Sequence, residues 1–230
     1  MTDRPLLAAE SIVFRAVGRD ILQDAYVDAI PGAVTALVGR TGAGKTTLFE
    51  VMVGRRRPVL GQVRWDGERV ARPSLARLAR HGLCYLPDRR WLPTWMTAAT
   101  TLRLAAGRSG LDWRPIAASL GVSSWCDRRV ETLSGGELRL TELAFALTRR
   151  PRAMLLDEPF HTLEPRHREA VGRVLRQLAA DGVAVLYADH DVRLVGETAD
   201  RLFSIEEGRT RPVPDFRNRS LTEWYHEWPK

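Results

Sequence analysis

Gly39-Arg40-Thr41-Gly42-Ala43-Gly44-Lys45-Thr46 follows the short apolar run Ala33–Val38 and leads into the helix-patterned Lys45–Val53. The eight residues fit G-x-x-x-x-G-K-[ST], and the flanks supply the strand and helix that the pattern requires. Glycines let the backbone curl until successive N–H groups converge. The helix behind adds partial positive charge at its N-terminus. Such a cradle accepts an oligophosphate. Lys45 is expected to reach the β- and γ-phosphates of ATP and the Thr46 hydroxyl to ligate Mg2+. Gly39, Arg40, Thr41, Gly42, Ala43, Gly44 and Thr47 complete the expected nucleotide cradle.

Working outward, residues 6–38 and 59–72 read as strands, with β-rich runs at Ser11–Phe14 and Gly61–Trp65 and a turn at Asp66-Gly67. The first helix stops at Gly54. Residues 89–132 change character: helix-like, tryptophan-bearing and broken at Gly107–Gly110 and Gly121, they suggest an inserted helical lobe. Beyond it strand and helix alternate. Leu140, Leu143, Ala144 and Leu147 give one apolar face to a helix over 138–147, and Val171, Val174, Leu175 and Leu178 repeat that spacing up to Asp181-Gly182. Ala153–Leu156 and Val183–Tyr187 are strands apolar on both faces. That alternation implies an α/β fold, a parallel sheet covered by helices on either side. Ligands bind such sheets at the carboxyl ends of the strands.

Two more groups of reactive side chains fall at those ends. Asp157-Glu158 follows Ala153–Leu156. Asp157 suits a Mg2+ held beside ATP, and Glu158 is placed to polarise the attacking water. His190, between Asp189 and Asp191, ends the next strand, where its imidazole can hydrogen-bond a γ-phosphate. The histidines at 81, 161, 167 and 226 read as surface or packing residues.

Composition narrows the setting. The chain has 230 residues, enough for a core of its own, and a formal charge of +7 carried by arginine, since Lys45 and Lys230 are the only lysines. A basic surface fits nucleic acid, anionic headgroups, phosphorylated ligands or a compositional bias. The arginines are interspersed with acids and form no basic stripe, so no nucleic-acid partner is expected. The apolar runs are strand-sized, short of the roughly 20 residues that span a bilayer. Met1–Glu10 lacks a signal-peptide core, which leaves a cytoplasmic location. Cys84 and Cys126 have no cysteine neighbours at metal-site spacing and are expected as two buried thiols in a reduced compartment.

Leu133-Ser134-Gly135-Gly136-Glu137 offers a second anion site, a serine and two glycines at the start of an amphipathic helix. With the cradle upstream, it resembles the signature motif of ATP-binding cassette (ABC) ATPases. Cradle, signature, Asp157-Glu158 and His190 occur in that family's order over residues 6–210. The resemblance implies a P-loop NTPase sheet with an N-terminal antiparallel β subdomain and a helical signature lobe. On this reading the chain is one domain: core at about 6–88 and 138–210, lobe at about 89–137, tail at 211–230. It further implies a head-to-tail pair, with itself or a paralogue, each Mg·ATP lying between Lys45 of one copy and Ser134, Gly135, Gly136 and Glu137 of the other. The expected role is the ATPase subunit of a transporter, peripheral on the inner face of the cell membrane through an integral-membrane permease. Asp189–Arg193 with Glu197–Arg201 is most similar to branched-chain amino acid and lipopolysaccharide-export ATPases.

Four positions depart from the family pattern. Asp88 in Tyr85-Leu86-Pro87-Asp88 stands where a glutamine is usual, and a carboxylate there can still meet Mg2+ or its water. Glu137 replaces glutamine, Glu164 replaces an aspartate, and Ala16 falls where an aromatic ring stacks on adenine. Phe14, two residues away, reads as core. Trp91 and Trp95 suit either a grip on a membrane subunit or the core of a small lobe. Trp224, Tyr225 and Trp228 of the tail suit packing or a partner equally. Two other functional classes stay open: a cassette ATPase acting on ribosomes, DNA or a protein scaffold, and a weakly hydrolysing regulatory module.

Overall fold

The computed structural model describes residues 4–107, 110–214 and 216. Its strands are β1 (Leu7–Ala16), β2 (Arg19–Ala29), β3 (Val34–Val38), β4 (Leu60–Trp65), β5 (Glu68–Arg69), β6 (Leu83–Leu86), β7 (Ala153–Asp157), β8 (Ala184–Asp189), β9 (Arg201–Glu206) and β10 (Arg209–Pro212). The α-helices are α1 (Lys45–Met52), α2 (Leu75–Arg80), α3 (Ala98–Gly107), α4 (Arg114–Ser119), α5 (Gly135–Leu147), α6 (Pro165–Ala180) and α7 (Val192–Thr198).

Two sheets result. The smaller is antiparallel, in the order β2-β1-β4-β5, and the larger runs β10-β9-β3-β8-β7-β6. From β9 to β6 every neighbour in the larger sheet is parallel, but β10 turns back antiparallel at the edge. The parallel sheet expected from the alternation is present, and one antiparallel strand extends its edge. A two-residue turn makes the difference: Glu207 and Gly208 both have positive φ, 47° and 76°. Such turns match the right-handed twist of paired antiparallel strands. Val17-Gly18 and Asp66-Gly67 close β1–β2 and β4–β5 in the same way.

The apolar strands deal their side chains alternately to two cores. Met154 and Leu156 of β7 and Val185 and Tyr187 of β8 face α3, α5, α6 and α7. Ala153, Leu155, Ala184, Leu186 and Ala188 face α1 and the antiparallel sheet. This two-sided burial explains why β7 and β8 read as unbroken apolar runs. A third, smaller cluster of Leu92, Val130, Leu133 and Leu138 closes the helical lobe.

Other expectations changed in detail. The helix expected over 138–147 starts three residues earlier, at Gly135, because Ser134 and Glu137 form a reciprocal cap. It is also not amphipathic: Arg139, Thr141 and Glu142 are buried along with its apolar face. Trp91 packs edge-on against Phe145, ring centroids 4.9 Å apart, whereas Trp95 is 68% exposed. The two tryptophans thus divide between lobe core and surface. Cys84 and Cys126 are free but only half-buried, so the two buried thiols become two partly covered ones. Trp224, Tyr225, Trp228 and His226 lie outside the described residues.

Leu155 is wholly buried on β7, between β6 and β8. Leu155→Ala is expected to cost about 2–5 kcal/mol of stability, read as a fall in the urea unfolding midpoint with the slope unchanged.

Candidate functional site

Parallel register brings the chemistry together. Leu86 lies opposite Leu156, so Asp88 and Glu158 leave the sheet side by side, two residues further along each strand. Asp157 pairs with Ala188, and the Glu158 N–H donates to the Ala188 carbonyl at 2.9 Å. Val38 pairs with Asp189, which sets Gly39 next to His190. Four strand ends therefore deliver the cradle, both Walker-type acids, Asp88 and the histidine to one edge.

The cradle is tightly seated. A Cβ on Gly39 would stand 2.5 Å from the Ile205 carbonyl oxygen, and Gly44, at φ 110°, backs onto Leu22. Gly42, at φ 85°, faces open space. Arg40, Thr41 and Thr46 are exposed, and Ala43 and Thr47 half-buried. Lys45 is buried, its ammonium donating to the Gly39 carbonyl at 2.7 Å and the Arg40 carbonyl at 3.1 Å. Burial lowers the affinity of that amine for its proton, while Glu158, Asp157 and Asp189 oppose the shift.

Asp157 is fully buried, and neither of its carboxylate oxygens has a hydrogen bond of good geometry among the described residues. Burial pushes its carboxyl up to about 6; the nearby Thr46 hydroxyl offsets part of this, and Asp88 and Glu158 add to it. An orphaned buried carboxylate beside an exposed threonine hydroxyl is a donor set that suits a hard, hydrated dication. The residues present fit Mg2+. Glu158 sits at φ 48°, a region non-glycine residues enter at a cost of about 1–3 kcal/mol. Its two backbone bonds, to Ala188 and from the His161 N–H at 3.1 Å, hold it there. His190 Nδ1 lies 3.6 Å from a Glu158 carboxylate oxygen and 3.6 Å from Asp189. Asp189 in turn accepts the backbone N–H groups of His190 and Asp191, at 2.7 and 3.0 Å, which orients the histidine's loop.

Ser134–Glu137 packs instead beside the turn that follows Glu158. A Cβ on Gly135 would reach the Thr162 hydroxyl at 3.2 Å, and one on Gly136 the Thr162 carbonyl at 3.4 Å. Within the chain the Ser134 hydroxyl accepts the Glu137 N–H, and Glu137 accepts the Ser134 N–H at 2.8 Å and pairs with Arg128. The first N–H groups of α5, on Gly135 and Gly136, have no intrahelical partner by construction. Glu164 begins α6, exposed and paired with Arg166 at 3.1 Å. Phe14 is core, as expected, with the Arg56 guanidinium over its ring, and Ala16 is half-buried against the same core.

Three residues escaped sequence reasoning. His161, read as surface or packing, places Nδ1 3.3 Å from Asp88. Arg139 and Glu142 form a buried pair on α5 at 3.2 Å. Arg139 also donates to the Pro87 carbonyl at 2.8 Å and to the Asp157 carbonyl, tying the signature helix to both loops that carry acids. Their i, i+3 spacing was the available signal.

The model of the family described as ABC transporter matches residues 22–161. The chain belongs to the ABC transporter family. A zinc import ATP-binding protein, ZnuC, of Halorhodospira halophila is 35% identical over 208 residues, 90% of this chain and 76% of that protein. A lipopolysaccharide export ATP-binding protein, LptB, of Acidithiobacillus ferridurans is 34% identical over 211 residues, 89% and 88% of the two chains. A solved ATP-binding subunit of an ABC transporter superposes with TM-score 0.84 over 96% of this chain and 98% of its own, at 24% identity. This ABC protein is thus an ATP-binding subunit and an ATPase, of a kind found in both import and export systems.

Glu142 gives this ABC subunit a pH signature. Burial raises its carboxyl from 4.5 to about 7, against Arg139 and the Trp91 N–H, which pull it down. Between those values the unfolded chain ionises Glu142 while the folded chain keeps the proton, so stability falls as pH rises. Glu142→Gln removes that contribution. The variant is expected to gain on the wild type progressively from pH 4.5 to 7 and to run parallel above, as measured by urea unfolding across that range.

Proposed function

We propose that two cassettes pair head to tail around two Mg·ATP and power transport by an integral-membrane partner. The convergence of Lys45, Asp88, Asp157, Glu158 and His190 at one sheet edge supports this most directly. In a two-fold pair one self-complementary face builds both sites. Lys45 and the N–H groups of residues 39–47 hold the phosphates of one ATP. The signature of the other copy, Ser134–Glu137, meets the γ-phosphate with the free N–H groups of Gly135 and Gly136.

Within that enclosure each side chain has one task. Glu158 accepts a hydrogen bond from the attacking water, aligning it with the γ-phosphorus and receiving its proton as the P–O bond to ADP breaks. His190 donates to a γ-phosphate oxygen and keeps Glu158 turned toward the water. The Lys45 ammonium balances charge on the β- and γ-oxygens. Thr46, Asp157 and Asp88 would hold Mg2+, which neutralises charge on the same phosphate oxygens when bound.

No helix of the described residues is long and apolar enough to cross a membrane. A transporter subunit of this build reaches the membrane through its partner, on the cytoplasmic face. The exposed Trp95 and Leu104 give the helical lobe an apolar surface for that contact. Glu158→Gln tests the mechanism. ATP binding is expected to persist, turnover to fall by about 10²-fold or more, and an ATP-bound dimer to accumulate in size-exclusion chromatography. Turnover at the wild-type rate would take Glu158 out of the reaction.

A further inference from the structure

Asp88, Glu158 and His161 bring three ligand atoms, one each, within 4.8 Å of one another. The fold builds this cluster from two directions. The β6–β7 register sets Asp88 beside Glu158. The turn after β7, closed by the His161 N–H on the Glu158 carbonyl, brings His161 back over them. His161 and Asp88 are exposed and Glu158 only partly covered, so a solute ion can reach all three.

The donor set differs in kind from the Mg2+ site. Thr46 and Asp157 offer oxygen, whereas His161 adds an imidazole nitrogen, which favours zinc-like transition metals over Mg2+. Metal–ligand bonds of about 2.0–2.1 Å in a tetrahedral site put neighbouring ligand atoms about 3.3 Å apart. His161 Nδ1 and Asp88 Oδ1 already stand at 3.3 Å. Glu158, within 4.8 Å of both, would supply the third ligand, which leaves the fourth position to water, the usual count for an open zinc site. The surrounding charge suits a cation. Behind the cluster Asp157 is buried without a hydrogen bond of good geometry among the described residues, and it feels the charges of Asp88 and Glu158. The Lys45 ammonium is turned toward the loop carbonyls.

We propose that Asp88, His161 and Glu158 form a binding site for a zinc-like transition-metal dication, which on binding withdraws Glu158 from water activation and Asp88 from Mg·ATP. The inhibition follows from the role given to Glu158 above; the binding does not depend on it. No bond forms or breaks in the substrate. The metal acts as a reversible off-switch that competes with Mg·ATP for Asp88.

Co2+ is the probe, titrated into untagged, nucleotide-free full-length protein under reducing conditions. Wild type is expected to bind one Co2+ per chain with visible d–d bands and no thiolate charge-transfer band. His161→Ala and Asp88→Asn should each weaken that binding at least ten-fold, and His167→Ala should leave it intact. Thermal unfolding of His161→Ala at the wild-type temperature establishes that the exposed substitution has not disturbed the fold. Cobalt binding as tight in His161→Ala as in wild type overturns the site. In parallel, Zn2+ should depress ATP turnover of wild type at least ten-fold more than that of His161→Ala, each relative to its own metal-free rate. Co2+ bound as described with no loss of turnover under Zn2+ would keep the site and remove its role as a switch, tracing the failure to Glu158.

Discussion

The parallel pairing of β3, β8, β7 and β6 sets the relative position of every reactive group in the site. Each strand contributes its chemistry at the same end: Asp88, Glu158 and His190 stand one or two residues past the last ladder pair, Asp157 within it, and β3 runs directly into the cradle at Gly39. A one-residue slip in any of them would carry a side chain to the opposite face. The apolar alternation makes a slip costly, because each strand is buried on both sides and would exchange the contents of two cores. Register is thus enforced by packing far from the ligand. The strained φ of Glu158 is tolerated for the same reason: its N–H is held by the neighbouring strand.

Helix α5 adds a second constraint, electrostatic in origin. Arg139 reaches the carbonyls of Pro87 and Asp157 from within the protein, and Glu142 balances its charge. Above about pH 7, where Glu142 is ionised, removing one partner of this buried pair costs about 3–5 kcal/mol, because the other charge stays behind unpaired. The helix that begins with Ser134–Glu137 is therefore braced against the two segments that carry Asp88 and Asp157. Movement of the signature cannot be independent of the acids. In the proposed head-to-tail pair, such a link would carry closure at the signature to both acids.

Much of this was legible in the sequence because its signals are local. The cradle needs eight contiguous residues, and β7 and β8 announce themselves by unbroken apolar runs between helical patterns. The β4–β5 turn was readable from Asp66-Gly67, whereas Glu207-Gly208 carries the weaker dipeptide and hid the β9–β10 hairpin and with it the antiparallel edge. The start of α5 was missed although Ser134-x-x-Glu137 is a capping box in plain spelling. Those residues read as an anion site at the helix start, with the helix itself counted only from Leu138. The burial of Arg139 and Glu142 was out of reach for a different reason. Their partners, Pro87 and Asp157, are 52 and 18 residues away from Arg139, and no periodicity encodes a contact to a backbone carbonyl.

His161 shows where such reading stops and why Asp88 matters. Taken alone, an exposed histidine in a turn carries no signal, and Asp88 taken alone is a shortened, charged replacement for a neutral amide. Side by side the two residues make sense of each other. A carboxylate at position 88 adds negative charge to an edge that already holds Asp157 and Glu158, and burial of Asp157 makes that repulsion felt. An imidazole 3.3 Å away relieves it, by hydrogen bond when neutral and by charge when protonated. The loop ending in Asp88 is thereby tethered to the turn that carries Glu158, the residue expected to activate water. Coupling through that contact is direct and short, a single approach of 3.3 Å between two side chains.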